Sequence, residues 1–195
     1  MQRPDMHNRR LIRLLPALGL VSLLTACATP STGPSSDAVN RHALVRVPAP
    51  EPDWPALKQR LAGATSAIKG IELGQADKQG LRMQIPVADG FASGKTEIRP
   101  ALAKVLDALA PVLAPEEGAA VKVIGHTDSQ GSEMINLQLS IARAEAVVEH
   151  LRQRGIALER MSADGRGEAD PLTSNATEEG RARNRRVELI LSRQP

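Results

Sequence analysis

Val121-Lys122-Val123-Ile124-Gly125-His126-Thr127-Asp128-Ser129-Gln130-Gly131 is the stretch on which the fold turns. Val121, Val123 and Ile124 read as a short apolar strand, and Gly125 to Gly131 as a polar turn. A helix follows from about Ser132 to Arg154 and stops at Gly155. At 100° per residue, Leu137, Ile141, Ala144, Val148 and Leu151 fall within about 40° of one direction and form the expected core stripe. Asn136, Ser140 and Arg143 lie roughly 60° to 120° to one side of it, which places them at the domain's edge on the half nearest Asp128.

Upstream, Leu81, Met83 and Ile85 alternate with Arg82 and Gln84 as a half-buried strand. Ile98, Leu102, Val105, Leu106, Leu109 and Leu113 recur at helical spacing, with Pro100 in the first turn. Pro111 removes a backbone donor, so a kink or an irregular last turn is expected there. Downstream, Arg160 to Gly165 reads as a weak strand, and Arg186 to Arg193, with Val187, Leu189 and Leu191 alternating, as a strong one. The order strand, helix, strand, helix, strand, strand predicts an α+β fold, a βαβαββ mixed sheet with helices packed on one face. Residues 71–195 are enough for one compact domain.

Before this domain, Asp53 as cap, Pro55, and Leu57, Leu61, Ala64 and Ile68 predict a short amphipathic helix over 54–70, which either packs on the domain or binds a partner. Residues 27–53 carry Pro30, Pro34, Pro48, Pro50 and Pro52 among Ser, Thr and Gly, and read as a tether. Residues 1–26 have a signal's form: Arg3, Arg9, Arg10 and Arg13 against Asp5, then the apolar run Leu14 to Ala26. As a helix that run reaches about 20 Å, short of the roughly 30 Å hydrocarbon core, which argues against a permanent span. Leu24-Thr25-Ala26-Cys27 resembles the lipobox of bacterial lipoproteins, which implies acylation of Cys27. Two or three acyl chains give stable anchoring to lipid. Cys27 is the only cysteine, so no intramolecular disulfide can form.

Residues 1–26 hold four of the 25 basic residues and one of the 22 acidic ones, which leaves 21 of each in the chain beyond them. A balanced charge, one Phe, one Trp and no Tyr argue against nucleic acid as a partner. His42, His126 and His150 show no metal-ligand spacing, so neither a metal nor a cofactor is expected. A Ser140, His126, Asp128 triad would need a strained nucleophile turn, whereas Ser140 falls mid-helix. No catalytic residue is assigned, and His126 reads as structural. Gly165-Arg166-Gly167 lacks a dinucleotide fingerprint's third glycine and reads as a turn.

Asp128 and Arg143 have two readings on these grounds. They pair with one another, which contributes little if exposed, or they receive a zwitterion, Asp128 taking the ammonium and Arg143 forking the carboxylate.

Gly125-His126-Thr127-Asp128, Gly131, Asn136, Leu139-Ser140, Arg143-Ala144, Gly167, Pro171 and Asn184-Arg185-Arg186-Val187-Glu188 together resemble the OmpA C-terminal-like peptidoglycan-binding domain family, which includes the Pal-type lipoproteins. Phe91-Ala92-Ser93-Gly94 is similar to that family's segment after the first strand, with Ala92 and Ser93 where some relatives carry an acidic residue and a second aromatic. The resemblance spans roughly residues 80 to 192. It implies a ligand, the meso-diaminopimelate of peptidoglycan stem peptides, held by Asp128 and Arg143 with Thr127 and Asn136 as neighbouring contacts. Asn136, at a helix start, also suits an orienting role. Arg185 is expected to be structural, with Arg181 and its neighbours close to Glu178 and Glu179; Arg186 is left open. Ala28, in place of Asp after the cysteine, implies sorting to the outer membrane, facing the periplasm. The function expected is a lipoprotein anchoring the outer membrane to the wall. Its rivals are a subunit of an envelope or secretion complex, reached through an envelope protein partner on helix 54–70, and a wall hydrolase.

Overall fold

The computed structural model describes residues 49–194. The signal segment, Cys27 and all of the tether before residue 49 lie outside the described residues. Nine elements and one 3-10 turn follow in order: α1 (Trp54–Thr65), β1 (Glu72–Asp77), β2 (Gly80–Pro86), α2 (Pro100–Leu113), β3 (Ala119–His126), α3 (Glu133–Arg152), the 3-10 turn Leu158–Arg160, β4 (Met161–Gly167), α4 (Glu178–Asn184) and β5 (Arg186–Arg193). The strands form one mixed sheet in the order β1-β2-β5-β3-β4. Only β3 and β4 run parallel, joined by α3 as the crossover. Register aligns Met83, Leu189 and Val123 across the middle strands, and Arg82, Ile190 and Lys122 beside them. Strict alternation therefore gives the sheet two unlike faces. Leu81, Met83, Ile85, Val121, Val123, Val187, Leu189 and Leu191 are buried in the core beneath the helices. Arg82, Lys122, Ile124, His126, Glu188 and Ile190 stand on the other side.

The expected α+β layering is found, with two elements more than the sequence suggested. β1 is a polar edge strand with no apolar alternation, joined to β2 by a tight turn in which Asp77 Oδ1 accepts from the amides of Gln79 and Gly80 at 2.8 and 3.2 Å. α4 has seven residues, too few for a helical period to show. α2 continues through Pro111 to Leu113. α1 ends at Thr65 rather than near Gly70, and its Trp54, Leu57 and Leu61 are in the common core with α2 and the sheet. Arg160, buried, donates to the carbonyls of Leu113, Ala114 and Ala119, which satisfies the C-terminal end of α2.

α3 is rotated from the expected orientation. Leu137 is 42% exposed, whereas Asn136, Ser140 and Arg143 are buried with Ala144, Val147, Val148 and Leu151. Glycines cause this. A Cβ on Gly125 would stand 2.2 Å from the Ser140 carbonyl oxygen, and one on Gly165 2.4 Å from Ser140 Oγ. The first turns of α3 thus lie directly on the backbones of β3 and β4, and only a small polar surface fits between. Ser140 Oγ uses the contact by accepting from the Gly167 amide at 2.9 Å and donating to the Leu137 carbonyl at 2.7 Å.

Candidate functional site

β3 ends at His126 and leads into Thr127 and Asp128 beyond the strand's C-terminal end, where the Thr127 amide donates to Gly167 O at 2.8 Å and ties the turn to the end of β4. Asp128 Oδ1 accepts from the Gln130 amide at 3.0 Å, Gly131 turns the chain at φ 103°, and Ser132 caps α3. Asn136 Nδ2 lies 2.6 Å from Glu168 Oε2, 3.1 Å from Gln130 O and 3.3 Å from Asp128 O. These contacts make Asn136 an orienting group that fastens the turn. Thr127 Oγ1 is buried and bonded to nothing among the described residues.

Asp128 does not pair with Arg143. Its Oδ2 accepts from Arg185 at 2.7 Å, and Arg185 also bonds Glu178 at 2.7 Å. Arg143 is 8% exposed, and its hydrogen bonds among the described residues run to backbone: Nε donates to Lys95 O at 3.0 Å and an Nη to Ala92 O at 3.3 Å. Its guanidinium carbon lies 5.0 Å from the centroid of Phe91. The 91–95 loop thus contributes a ring and two carbonyls, and Ala92 acts through its backbone. Burial lowers the Arg143 pKa, with Arg185 adding to the effect and Asp128 opposing it.

Arg185, expected to be structural, reaches into the site and holds Asp128. No local pattern announces this pairing, because the two residues stand 57 positions apart. Arg181 pairs with Glu178 at 2.9 Å, as the sequence suggested. Arg186 is buried against Glu188 at 2.9 Å and bonds Asp170 O, well inside the sheet's other face. His126 lies on that face too. Burial, reinforced by Arg186, pushes its pKa down to about 4. Chemically, the arrangement offers, among the described residues, a buried guanidinium hydrogen-bonded only by backbone carbonyls, beside a carboxylate whose one cationic partner is partly exposed. That can bind a carboxylate and an ammonium together.

A model of the OmpA family matches residues 90–185, from the 91–95 loop through Arg185. Among relatives, "Probable lipoprotein YiaD" of Escherichia coli is 43% identical over 102 residues, covering 52% of this chain and 47% of the relative. "Peptidoglycan-binding protein ArfA" of Mycobacterium bovis is 34% identical over 165 residues, covering 85% of this chain and 46% of the relative. The chain spans about half the length of these two relatives. The solved structure of the cell wall anchor of the T6SS from Pseudomonas aeruginosa is 31% identical, with a TM-score of 0.63, and the match covers 73% of this chain and 100% of that one. By family match, by sequence over the whole of that anchor, and by fold, this chain belongs to the OmpA family.

Proposed function

We propose that the domain binds peptidoglycan without covalent chemistry by holding the zwitterionic end of diaminopimelate, and that acylated Cys27 anchors it to the outer membrane on the periplasmic side. The observation that carries this reading is Arg143: a buried guanidinium whose only hydrogen bonds among the described residues run to the carbonyls of Lys95 and Ala92. A ligand carboxylate supplies the counter-charge it lacks. The ammonium goes to Asp128, which shares its negative charge between Arg185 and the ligand. Each charge-assisted bond contributes about 1.5 to 3 kcal/mol, and many such sites along a wall add by multivalency. Ser140 is fully buried and bonded at both ends, which supports a binding role rather than a hydrolytic one.

Co-sedimentation of residues 28–195 with diaminopimelate-type sacculi tests the site. Wild type pellets, while Asp128→Ala and Arg143→Ala, with unchanged circular dichroism, bind about 10- to 100-fold more weakly. Equal pelleting of the variants, or no pelleting of wild type, rejects it. Intact mass of the membrane-fraction protein tests the anchor separately, since an unacylated Cys27 would end that part of the proposal.

A second reading, a subunit of a larger envelope complex positioned by its grip on the wall, draws support from the full-length match to the Pseudomonas aeruginosa anchor. Helix 54–70 is a poor docking element for it, because the apolar side chains of α1 are already spent in the core.

A further inference from the structure

The sheet face turned away from the core holds an open cleft of about 530 Å³. Ile124 and Ile190 form its apolar floor, and Ala169, Pro171 and Leu172 close one side. Two rim cations are only loosely engaged. Arg82 is 3.6 Å from Glu188 and Arg166 is 3.9 Å from Asp170, both beyond a direct hydrogen bond, and both side chains are more than half exposed. Lys122 and Arg186, by contrast, are committed at 2.9 Å to Asp164 and Glu188.

His126 lines the same cleft, 4% exposed, with both ring nitrogens unbonded among the described residues; its nearest carboxylate oxygen, on Glu188, is 3.7 Å away. A neutral imidazole carries one N–H and one lone pair, and leaving either buried and unmet costs about 1 to 3 kcal/mol. The cleft therefore offers two available guanidiniums, an unmet ring donor and an apolar floor. A carboxylate on a small aliphatic body matches that set better than a bare inorganic anion, which would leave Ile124 and Ile190 uncovered.

Two short stretches of chain join the cleft to the site above. Glu168 bonds Asn136, and the next four residues, 169–172, line the cleft. Likewise His126 and Asp128 are two residues apart, about 7 Å along an extended chain.

We propose that this cleft is a second subsite for the wall peptide, in which Arg82, Arg166 and the His126 ring take the carboxylate of an alanyl residue. It rests on the wall-binding reading, and its test separates the two. The full chain, isotope-labelled on histidine and held in detergent micelles, is titrated with N-acetyl-D-alanine while the His126 ring resonances are followed. They move and saturate, whereas the uncharged N-acetyl-D-alaninamide leaves them in place. The double variant Arg82→Gln, Arg166→Gln weakens the titration about tenfold and lowers sacculus binding severalfold; Asp128→Ala leaves the titration unchanged while weakening sacculus binding about 10- to 100-fold. A silent His126 overturns the subsite and assigns the ring nitrogens to water. An equal response to the amide or to inorganic phosphate, or undiminished sacculus binding by the double variant, overturns the alanyl carboxylate of the wall as its ligand. Should Asp128→Ala retain full sacculus binding, the primary site fails, whatever His126 reports.

Discussion

Gly165→Ala adds one methyl group at the place where fold and site depend on the same contact. The new Cβ would stand 2.4 Å from Ser140 Oγ, 2.5 Å from the Ile141 nitrogen and 2.6 Å from Ile141 Cγ1. Ordinary contact needs about 3.5 Å, so α3 must retreat from β4 by roughly 1 Å. Overpacking of this kind costs about 1 to 3 kcal/mol. Losing the bond from the Gly167 amide to Ser140 Oγ adds about 1 kcal/mol, and the stiffer unfolded chain returns about 0.4 to 1 kcal/mol. The net is about 2 kcal/mol of destabilisation, a fall in Tm of about 4 to 8 °C for a domain of this size. Arg143 stands three residues beyond Ser140 on the same face, so the displaced helix carries the guanidinium away from the 91–95 carbonyls, and sacculus binding weakens even where the variant is fully folded. Gly63→Ala is the control. It lies exposed inside α1 with nothing within 4 Å of a new Cβ, and the same methyl there stabilises by about 1 kcal/mol. Urea denaturation and thermal melts measure both. A Gly165→Ala Tm within 1 °C of wild type, or two variants that shift alike, would refute the close-packing argument.

His126 makes stability pH-dependent: its folded pKa of about 4 lies below the ordinary value of 6.5, so the unfolded chain binds the proton more readily and stability is lost as pH falls from 6.5 toward 4. Between pH 7 and 4.5 wild type should lose about 2 kcal/mol more than His126→Leu in urea titrations, and parallel curves would contradict the assignment. Asn184, fully buried, accepts from the amides of Leu172 and Thr173 and donates to Thr173 O and Asn175 Oδ1. Asn184→Ala should cost about 3 kcal/mol and speed amide exchange at Leu172 and Thr173; unchanged exchange there would show that the loop holds itself.

What could be read in advance followed from how locally each feature is encoded. β5 emerged with its observed bounds, Arg186 to Arg193, because Val187, Leu189 and Leu191 alternate without interruption. α3 emerged within two residues because a polar, glycine-bearing turn precedes it and Gly155 ends it. β1 did not, since an edge strand in the order Glu-Leu-Gly-Gln-Ala-Asp buries too little to need a pattern. The rotation of α3 was missed for a different reason. A helical wheel ranks faces by apolarity, whereas Ser140 is drawn inward by Gly125 and Gly165, which lie on other elements and allow a close approach. Asp128 and Arg143 were both legible as charged residues flanking a turn, but their separate partners were not. Arg185 reaches Asp128, and the carbonyls of Ala92 and Lys95 reach Arg143, only once the sheet has brought distant segments together.

The two ends of β3 carry unlike duties. At its start, Gly118 presses on the chain where the polypeptide enters the domain, so closely that a Cβ there would meet Pro50 O at 2.0 Å, and Arg193 pairs with Glu51 at 2.5 Å beside it. At its finish stands the turn with Asp128. Eight residues at about 3.3 Å each put these points roughly 26 Å apart. In the proposed function a pull between lipid and wall then enters at one pole of the sheet and leaves at the other, along β3, which is flanked by β5 and β4. Force in that direction shears many ladder hydrogen bonds together instead of unzipping them singly. The antiparallel ladder from Ala119–Arg193 to Gly125–Val187 spans nearly the whole distance. Arg185 immediately precedes β5, so the residue that steadies Asp128 is joined directly to the strand that shares the load.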